Sequence, residues 1–283
     1  MAPGWYLIFS VVLFNIINAC VKYLSHIPFF ELVFFRALIS ISLISCWIFF
    51  SKISFRGIHP KLLFARGLAG TLALTLFFFT LQTMPLASAV TIQYMSPLFA
   101  VFFSWRLLNE RISFWQVICF MTAFCGVFLV KGFDTRVSLW ELMAGLLAAA
   151  LSGLAYTLVR KLRNFDHPLV VIFYFSLTSL ALLSPVALTQ WTRPMGADWF
   201  FILLIGLLTT FAQYFMTLAY QGGEMGRVAI FKYVGVIMAL AIGFTLFGEV
   251  LTWLNLTGIA AIIFAVYASN LKRNLLVTFN KKL

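Results

Sequence analysis

Ten runs of about 20 apolar residues follow one another along the chain with only short polar breaks between them. Nothing else in the sequence limits the fold so severely. The runs cover roughly 3–24, 29–50, 62–81, 86–107, 113–132, 140–160, 168–190, 198–220, 226–247 and 250–271. A helix needs about 20 residues to cross the hydrocarbon of a bilayer, so each run predicts one span. Ten spans use most of the 283 residues and leave connectors and tails of a few residues each. No room remains within these residues for a large ectodomain, a soluble catalytic domain or a nucleic-acid-binding domain. Composition names the solvent: 63% of residues are hydrophobic and 10% charged, against about a quarter charged in a soluble domain. The expected fold class is an all-α polytopic membrane protein of ten transmembrane helices. The split of 62–107 into two spans rests on the break Gln82-Thr83-Met84-Pro85, with Pro85 suited to the first turn of the next helix.

The net charge of +12 reads as an orientation signal, so no nucleic-acid partner is expected. With a cytoplasmic N-terminus, 13 basic residues fall inside: Lys52, Arg56, Lys61, Arg106, Arg111, Arg160, Lys161, Arg163, Arg227, Lys272, Arg273, Lys281 and Lys282. Lys131, Arg136 and Arg193 fall outside. This excess predicts both termini in the cytoplasm, with a bacterial inner membrane as the expected location. The first apolar run is too long for a signal-peptide core and reads as an uncleaved span. Cys20, Cys46, Cys119 and Cys125 all fall in spans with no paired spacing and read as buried packing groups. The sequon at Asn255 lies inside the last span, where glycosylation is not expected.

A shift of 139 residues lays Tyr94–Glu110 on Tyr233–Glu249. Ile92-Gln93-Tyr94 then meets Phe231-Lys232-Tyr233, and Asn109-Glu110 meets Gly248-Glu249. The halves 1–137 and 138–283 would each hold five spans. Because five is odd, a tandem duplication must place the second half upside down. Inverted repeats of this kind are typical of secondary transporters, whose substrate site lies near the midplane between the repeats.

The same landmarks carry a resemblance. Asn18-x-x-x-Lys22-Tyr23, Phe34-Phe35-Arg36, Arg66-Gly67, Pro85-Leu86-Ala87-Ser88-Ala89 and Pro97-Leu98 occur in that order. The Leu108-Asn109-Glu110-Arg111 turn and its counterpart Phe247-Gly248-Glu249 complete the set. In order and spacing, over nearly the whole chain, this resembles the EamA family of the drug/metabolite transporter superfamily. The resemblance implies ten spans in two inverted five-helix repeats, with spans 1–4 and 6–9 around a central cavity. It implies that spans 5 and 10 pack to the side and that the hairpins of spans 3–4 and 8–9 gate the two faces. Within the family the chain looks closest to the group holding bacterial S-adenosylmethionine carriers and animal acyl-malonyl-condensing-enzyme-like carriers. One departure stands out: the 139 shift maps Arg36 onto Phe175, so the halves differ chemically at that depth.

An ionisable side chain within a span faces the bundle interior by default and marks a substrate path. Asn15, Asn18 and Lys22 share one face of the first span and read either as a cavity wall or as a hydrogen-bonded seam between helices. Arg36 lies deep in the second span and either binds an anionic group or braces the outer gate. Glu31, on the same helix, points well away from Arg36, and its expected partner is Lys22 or water. Gln93 with Tyr94 and Lys232 with Tyr233 form the matched pair of spans four and nine. Pro97 frees a backbone carbonyl near mid-span. Arg66, one turn from a span end, is expected to snorkel toward the cytoplasmic face. Gln213, Tyr214 and Tyr156 are weaker cavity candidates. Glu110 and Glu249 are expected to brace the hairpins.

Nothing reads as catalytic. His26, His59 and His167 sit at connectors without carboxylate partners at ligand spacing, and no metal, nucleotide or hydrolase motif occurs. No cofactor is expected. The expected function is secondary active transport of a small polar metabolite by alternating access. The substrate class is an amino acid, S-adenosylmethionine or an organic anion, with an anionic part favoured by the basic residues in the spans. Membrane lipid is the surrounding partner, and a homodimer is left open. The alternative is a lipid flippase or scramblase.

Overall fold

A computed structural model describes residues 3–108, 137–222 and 234–248, together with 118, 121, 122, 125, 253, 256–261, 263–265 and 268. The described residues form helices joined by short connectors and contain no strand. The helices are α1 (Pro3–Tyr23), α2 (Phe29–Phe50), α3 (Pro60–Thr83), α4 (Leu86–Gln93) and α5 (Ser96–Leu108). They continue as α6 (Leu139–Leu162), α7 (Pro168–Thr189), α8 (Asp198–Gly222) and α9 (Val234–Phe247). Seven stretches among the described residues are long and apolar enough to cross a membrane, with α4 and α5 making one interrupted span, Leu86–Leu108. Most of the expected span 113–132, much of 250–271 and the start of 226–247 lie outside the described residues.

Local chemistry sets the helix ends. Ser138 and Glu141 form a reciprocal capping box at the start of α6, with Ser138 N donating to Glu141 Oε2 at 2.6 Å and Glu141 N to Ser138 Oγ at 3.2 Å. Pro60 and Pro168 open α3 and α7, where a missing N–H leaves no bond unmade. Gly248, at φ +60°, follows the last residue of α9, a left-handed position that suits glycine past a helix end. Pro85 differs from expectation. It is the N-cap of α4, with φ −55° and ψ 139°, and Met84 before it is extended. A residue preceding proline is pushed out of the helical region, so the turn opens one residue earlier.

Apolar side chains cover the outside as well as the core. Trp140 is 84% exposed and Phe50 76%, a surface that only lipid can cover at this density. Cys20 is buried, whereas Cys46 and Cys125 are exposed thiols on this outer surface; the expectation that all are buried holds only for Cys20 among them. Inside, α3 packs along α6, α1 along α8, and α2 along α7.

Contacts between the two halves, and within each, recur at a constant offset. Thr71 Oγ1 and Ser179 Oγ share a hydrogen bond of 2.7 Å, while Thr210 Oγ1 donates to Ser40 Oγ at 3.1 Å. Adding 139 to Thr71 and Ser40 gives Thr210 and Ser179. Gln82 Nε2 donates to the Ile27 carbonyl at 2.9 Å, and Gln221 Nε2 donates to the Asp166 carbonyl at 3.3 Å, again 139 apart at both ends. Two close crossings follow the same rule. A Cβ on Gly67 would press on Thr178, and one on Gly206 would lie 2.6 Å from Ile39. Glycine is required at both because the facing helix fills that space.

Candidate functional site

The helices enclose a central cavity of about 110 Å³ between the two halves of the chain. Residues of α1, α2, α3, α4, α6, α7 and α8 line it. Helical spacing explains which ones. Asn15 and Asn18 present one face of α1, and Arg66, Gly70, Ala73 and Phe77 present one face of α3.

One end of the lining is cationic. Arg36 and Arg66 are each 2% exposed. Their guanidinium carbons lie 4.9 and 4.1 Å from the centre of the same ring, Phe175. Arg66 Nη2 donates to Gln213 Oε1 at 3.3 Å, but its Nε and Nη1 are buried without a hydrogen-bond partner. Among the described residues, neither arginine has a carboxylate within ion-pair distance. The described acids are committed elsewhere: Glu31 accepts from Thr192 N at 3.0 Å, Asp166 from Ile58 N at 2.7 Å, Glu141 caps α6, and Asp198 meets His26 and Met195 N. A cation over an aromatic ring gains about 0.5–2 kcal/mol, less than the several kcal/mol that burying an ion costs. The ring orients the pair without neutralising it.

The remaining polar lining is neutral. Gln93 Nε2 donates to Ser152 Oγ at 2.8 Å, and Asn15 Nδ2 donates to the Val11 carbonyl at 2.9 Å. Tyr94 is buried in the same wall and hydrogen-bonds the Asn15 side chain. Asn15 Oδ1, Gln93 Oε1 and Thr209 Oγ1 are buried without a partner. Native interiors leave few polar atoms in that state, so these point to a ligand or to water. The helix breaks beside them, between α4 and α5. Pro97 has no N–H to offer the Gln93 carbonyl, and the Leu98 amide turns to the Met95 carbonyl, three residues back.

Of the candidates read from the sequence, Asn15, Asn18, Arg36, Arg66, Gln93, Tyr94 and Gln213 come together at this cavity. Lys22 does not: it donates to the Met84 carbonyl at 2.8 Å and lies 5.5 Å from the centre of the Phe247 ring. Tyr214 packs outside the lining, against Trp47 with ring centres 4.7 Å apart. Lys232, Tyr233, Glu110 and Glu249 lie outside the described residues. Three expectations are corrected. Arg66 does not snorkel, because Gly67 brings α3 tightly onto α7 and turns that face of the helix to the centre. Glu31 is bound by the Thr192 amide of the distant α7–α8 connector, not by Lys22. His26 does have a carboxylate partner, since Nε2 lies 3.1 Å from Asp198 Oδ2. Phe175, Ser152 and Thr209 were not among the sequence candidates for the site. The signal for Phe175 was present, as it is the position onto which the 139 shift maps Arg36.

A single family model, the EamA-like transporter family, matches the chain twice, over residues 3–132 and 139–271. The chain belongs to this family. The two EamA matches divide the cavity: the first holds both arginines and the second holds Phe175 and Gln213. Similar proteins agree over most of their lengths. Solute carrier family 35 member G1 of Mus musculus is 29% identical over 96% of this chain and 79% of its own. The pseudopaline exporter CntI of Pseudomonas aeruginosa is 28% identical over 90% of this chain and 91% of its own. An S-adenosylmethionine uptake transporter of Rickettsia prowazekii is 23% identical over 87% and 84%. A crystal structure of another protein superposes with a TM-score of 0.72 at 18% identity, covering 97% of this chain and 98% of that one. This EamA chain is thus an integral membrane protein of a transporter family.

Proposed function

We propose that the chain is a secondary transporter that carries a small polar metabolite with an anionic group by alternating access. One observation carries the reading: two buried arginines without a carboxylate partner among the described residues line a central cavity shared by both halves. A stable protein of this kind leaves such charge exposed to a cavity only where something anionic enters it. The chain is read as two inverted five-helix repeats, 1–137 and 138–283, with both termini cytoplasmic and a bacterial inner membrane as its location. The recurring hydrogen bonds Thr71–Ser179 and Thr210–Ser40 support the repeat, since a two-fold axis between repeats exchanges equivalent pairs. Arg36, Arg66, Asn15, Asn18, Gln93, Tyr94 and Gln213 are assigned to substrate binding, and Pro97 to the hinge between α4 and α5. The substrates of the relatives, pseudopaline and S-adenosylmethionine, fit a small metabolite as the class.

Proteoliposomes holding the purified protein test this reading. Uptake or counterflow of labelled amino acids, carboxylates, S-adenosylmethionine and phosphate esters is measured against protein-free vesicles. At least one compound bearing an anionic group is expected to exchange saturably. Saturable movement of neutral or cationic compounds alone, or of fluorescent lipid with no solute, overturns it and favours lipid flipping.

A further inference from the structure

The anion reading leaves open how much negative charge the ligand brings, and the cavity answers by counting charges. Arg36 and Arg66 converge on one ring, Phe175. Arg66 and the ring are held there by packing, since a Cβ on Gly70 would meet both Arg66 Nη1 at 2.9 Å and Phe175 Cε2 at 3.0 Å. Gln213 offers Arg66 a neutral acceptor. No described carboxylate reaches either group, because all four described acids are engaged at helix ends. Among the described residues, the lining therefore carries two positive charges and a ring quadrupole with no net charge. A single carboxylate would leave one guanidinium buried and unpaired, the arrangement that proteins avoid most strongly. Two buried donors of Arg66, Nε and Nη1, also await acceptors, a fork suited to carboxylate or phosphate oxygens.

Resting on the transporter reading above, we infer that the substrate presents two negative charges to the Arg36–Arg66 pair, as a dicarboxylate or a phosphate monoester does. The unpartnered oxygens of Asn15 and Gln93 then take a hydroxyl or amine donor from the same ligand. Phe175 is a positioning residue that keeps the two cations within reach of one dianion.

Matched probes test the charge count on the purified full chain in detergent. Succinate is compared with butyrate, glycerol phosphate with glycerol, and sulfate with nitrate at equal ionic strength, by calorimetry and by the shift in apparent melting temperature. At least one dianion is expected to bind about tenfold more tightly than its partner, and the first two pairs separate a carboxylate source from a phosphate source. In Arg36→Gln and in Arg66→Gln that preference is expected to fall below about threefold, while Arg36→Lys, which keeps the charge, retains most of it. General salt stabilisation would persist in both glutamine variants and is thereby separated. Should the wild type show no dianion preference, or the glutamine variants keep it, the charge count is wrong. The wild-type arm needs no variant and stands even if a variant misfolds. Transport of a monoanion or zwitterion would sink this inference and leave the carrier reading intact. Dianion binding without movement of any solute would do the reverse.

Discussion

The two halves of the chain share their packing and differ in their chemistry. Where helix meets helix, the offset of 139 preserves the residue or its role: Thr71 with Thr210, Ser40 with Ser179, Gly67 with Gly206, Gln82 with Gln221. Where side chains face the cavity, it does not. Arg36 corresponds to Phe175, Arg66 to Ile205, Asn15 to Leu154, Gly70 to Thr209 and Leu74 to Gln213. A packing contact acts at every copy of the interface, so both copies must satisfy it. A ligand need not share the fold's symmetry, so a charged pair on one side, as proposed for Arg36 and Arg66, is enough to meet it. The Arg36–Phe175 contact shows the point most directly, because the position near the proposed axis faces its own counterpart.

That contrast can be broken in order of expected effect. Arg36→Ala or Arg66→Ala should weaken binding of an anionic ligand by about 10–100-fold, since a hydrogen bond to a charged group contributes about 1.5–3 kcal/mol. Ile205→Ala, at the position equivalent to Arg66, should lower stability and leave the dianion preference in place. Ligand calorimetry separates the two, and equal effects on selectivity would erase the asymmetry. Next come the crossings: Gly67→Val and Gly206→Val should each destabilise the fold by about 1–3 kcal/mol through overpacking. Thermal unfolding in detergent checks this, and a large effect in one half alone would argue against equivalent packing. Thr71→Val and Thr210→Val should each cost about 0.5–1.5 kcal/mol for one hydrogen bond, by a similar amount in both halves.

The smallest effect concerns the N-termini of α2 and α7. Pro28 precedes α2 and has no side-chain cap bond, whereas His167, 139 residues later, accepts from Leu169 N through Nδ1 at 3.3 Å. Partial desolvation pushes the His167 pKa below its ordinary 6.5. A histidine whose folded value is lowered binds fewer protons when folded. Its contribution is therefore complete above the unfolded value and fades as pH falls below 6.5. Some stability should be lost by pH 5, seen as a lower melting temperature. His167→Ser keeps a cap without a titrating group and should remove that part of the pH dependence. An unchanged profile would show that the cap contributes nothing there.

Much of the architecture was legible without coordinates. The expected spans 29–50, 168–190 and 198–220 match α2, α7 and α8 within two residues, because apolar run length is itself the membrane constraint. Asn15, Asn18, Arg36 and Gln93 were legible as cavity residues, since a polar group in hydrocarbon has few other places to face. Arg66 was misread because position along a helix predicts reach toward headgroups but not which face a neighbour covers. Glu31 and His26 were misread because their partners, Thr192 and Asp198, lie 161 and 172 residues away.

By itself, the sequence determined the solvent, the helix lengths and the residues that must avoid lipid, all of which follow from local hydropathy and spacing. It also held the 139-residue offset, a property of the string alone. The tertiary structure decided that Arg36 and Arg66 meet over Phe175, that Lys22 stands outside the cavity, and that Glu31 and Asp166 each accept from a distant backbone amide. Those outcomes depend on which faces of α2, α3 and α7 press together. Interhelical packing sets this across more than a hundred residues, beyond the range of any local pattern.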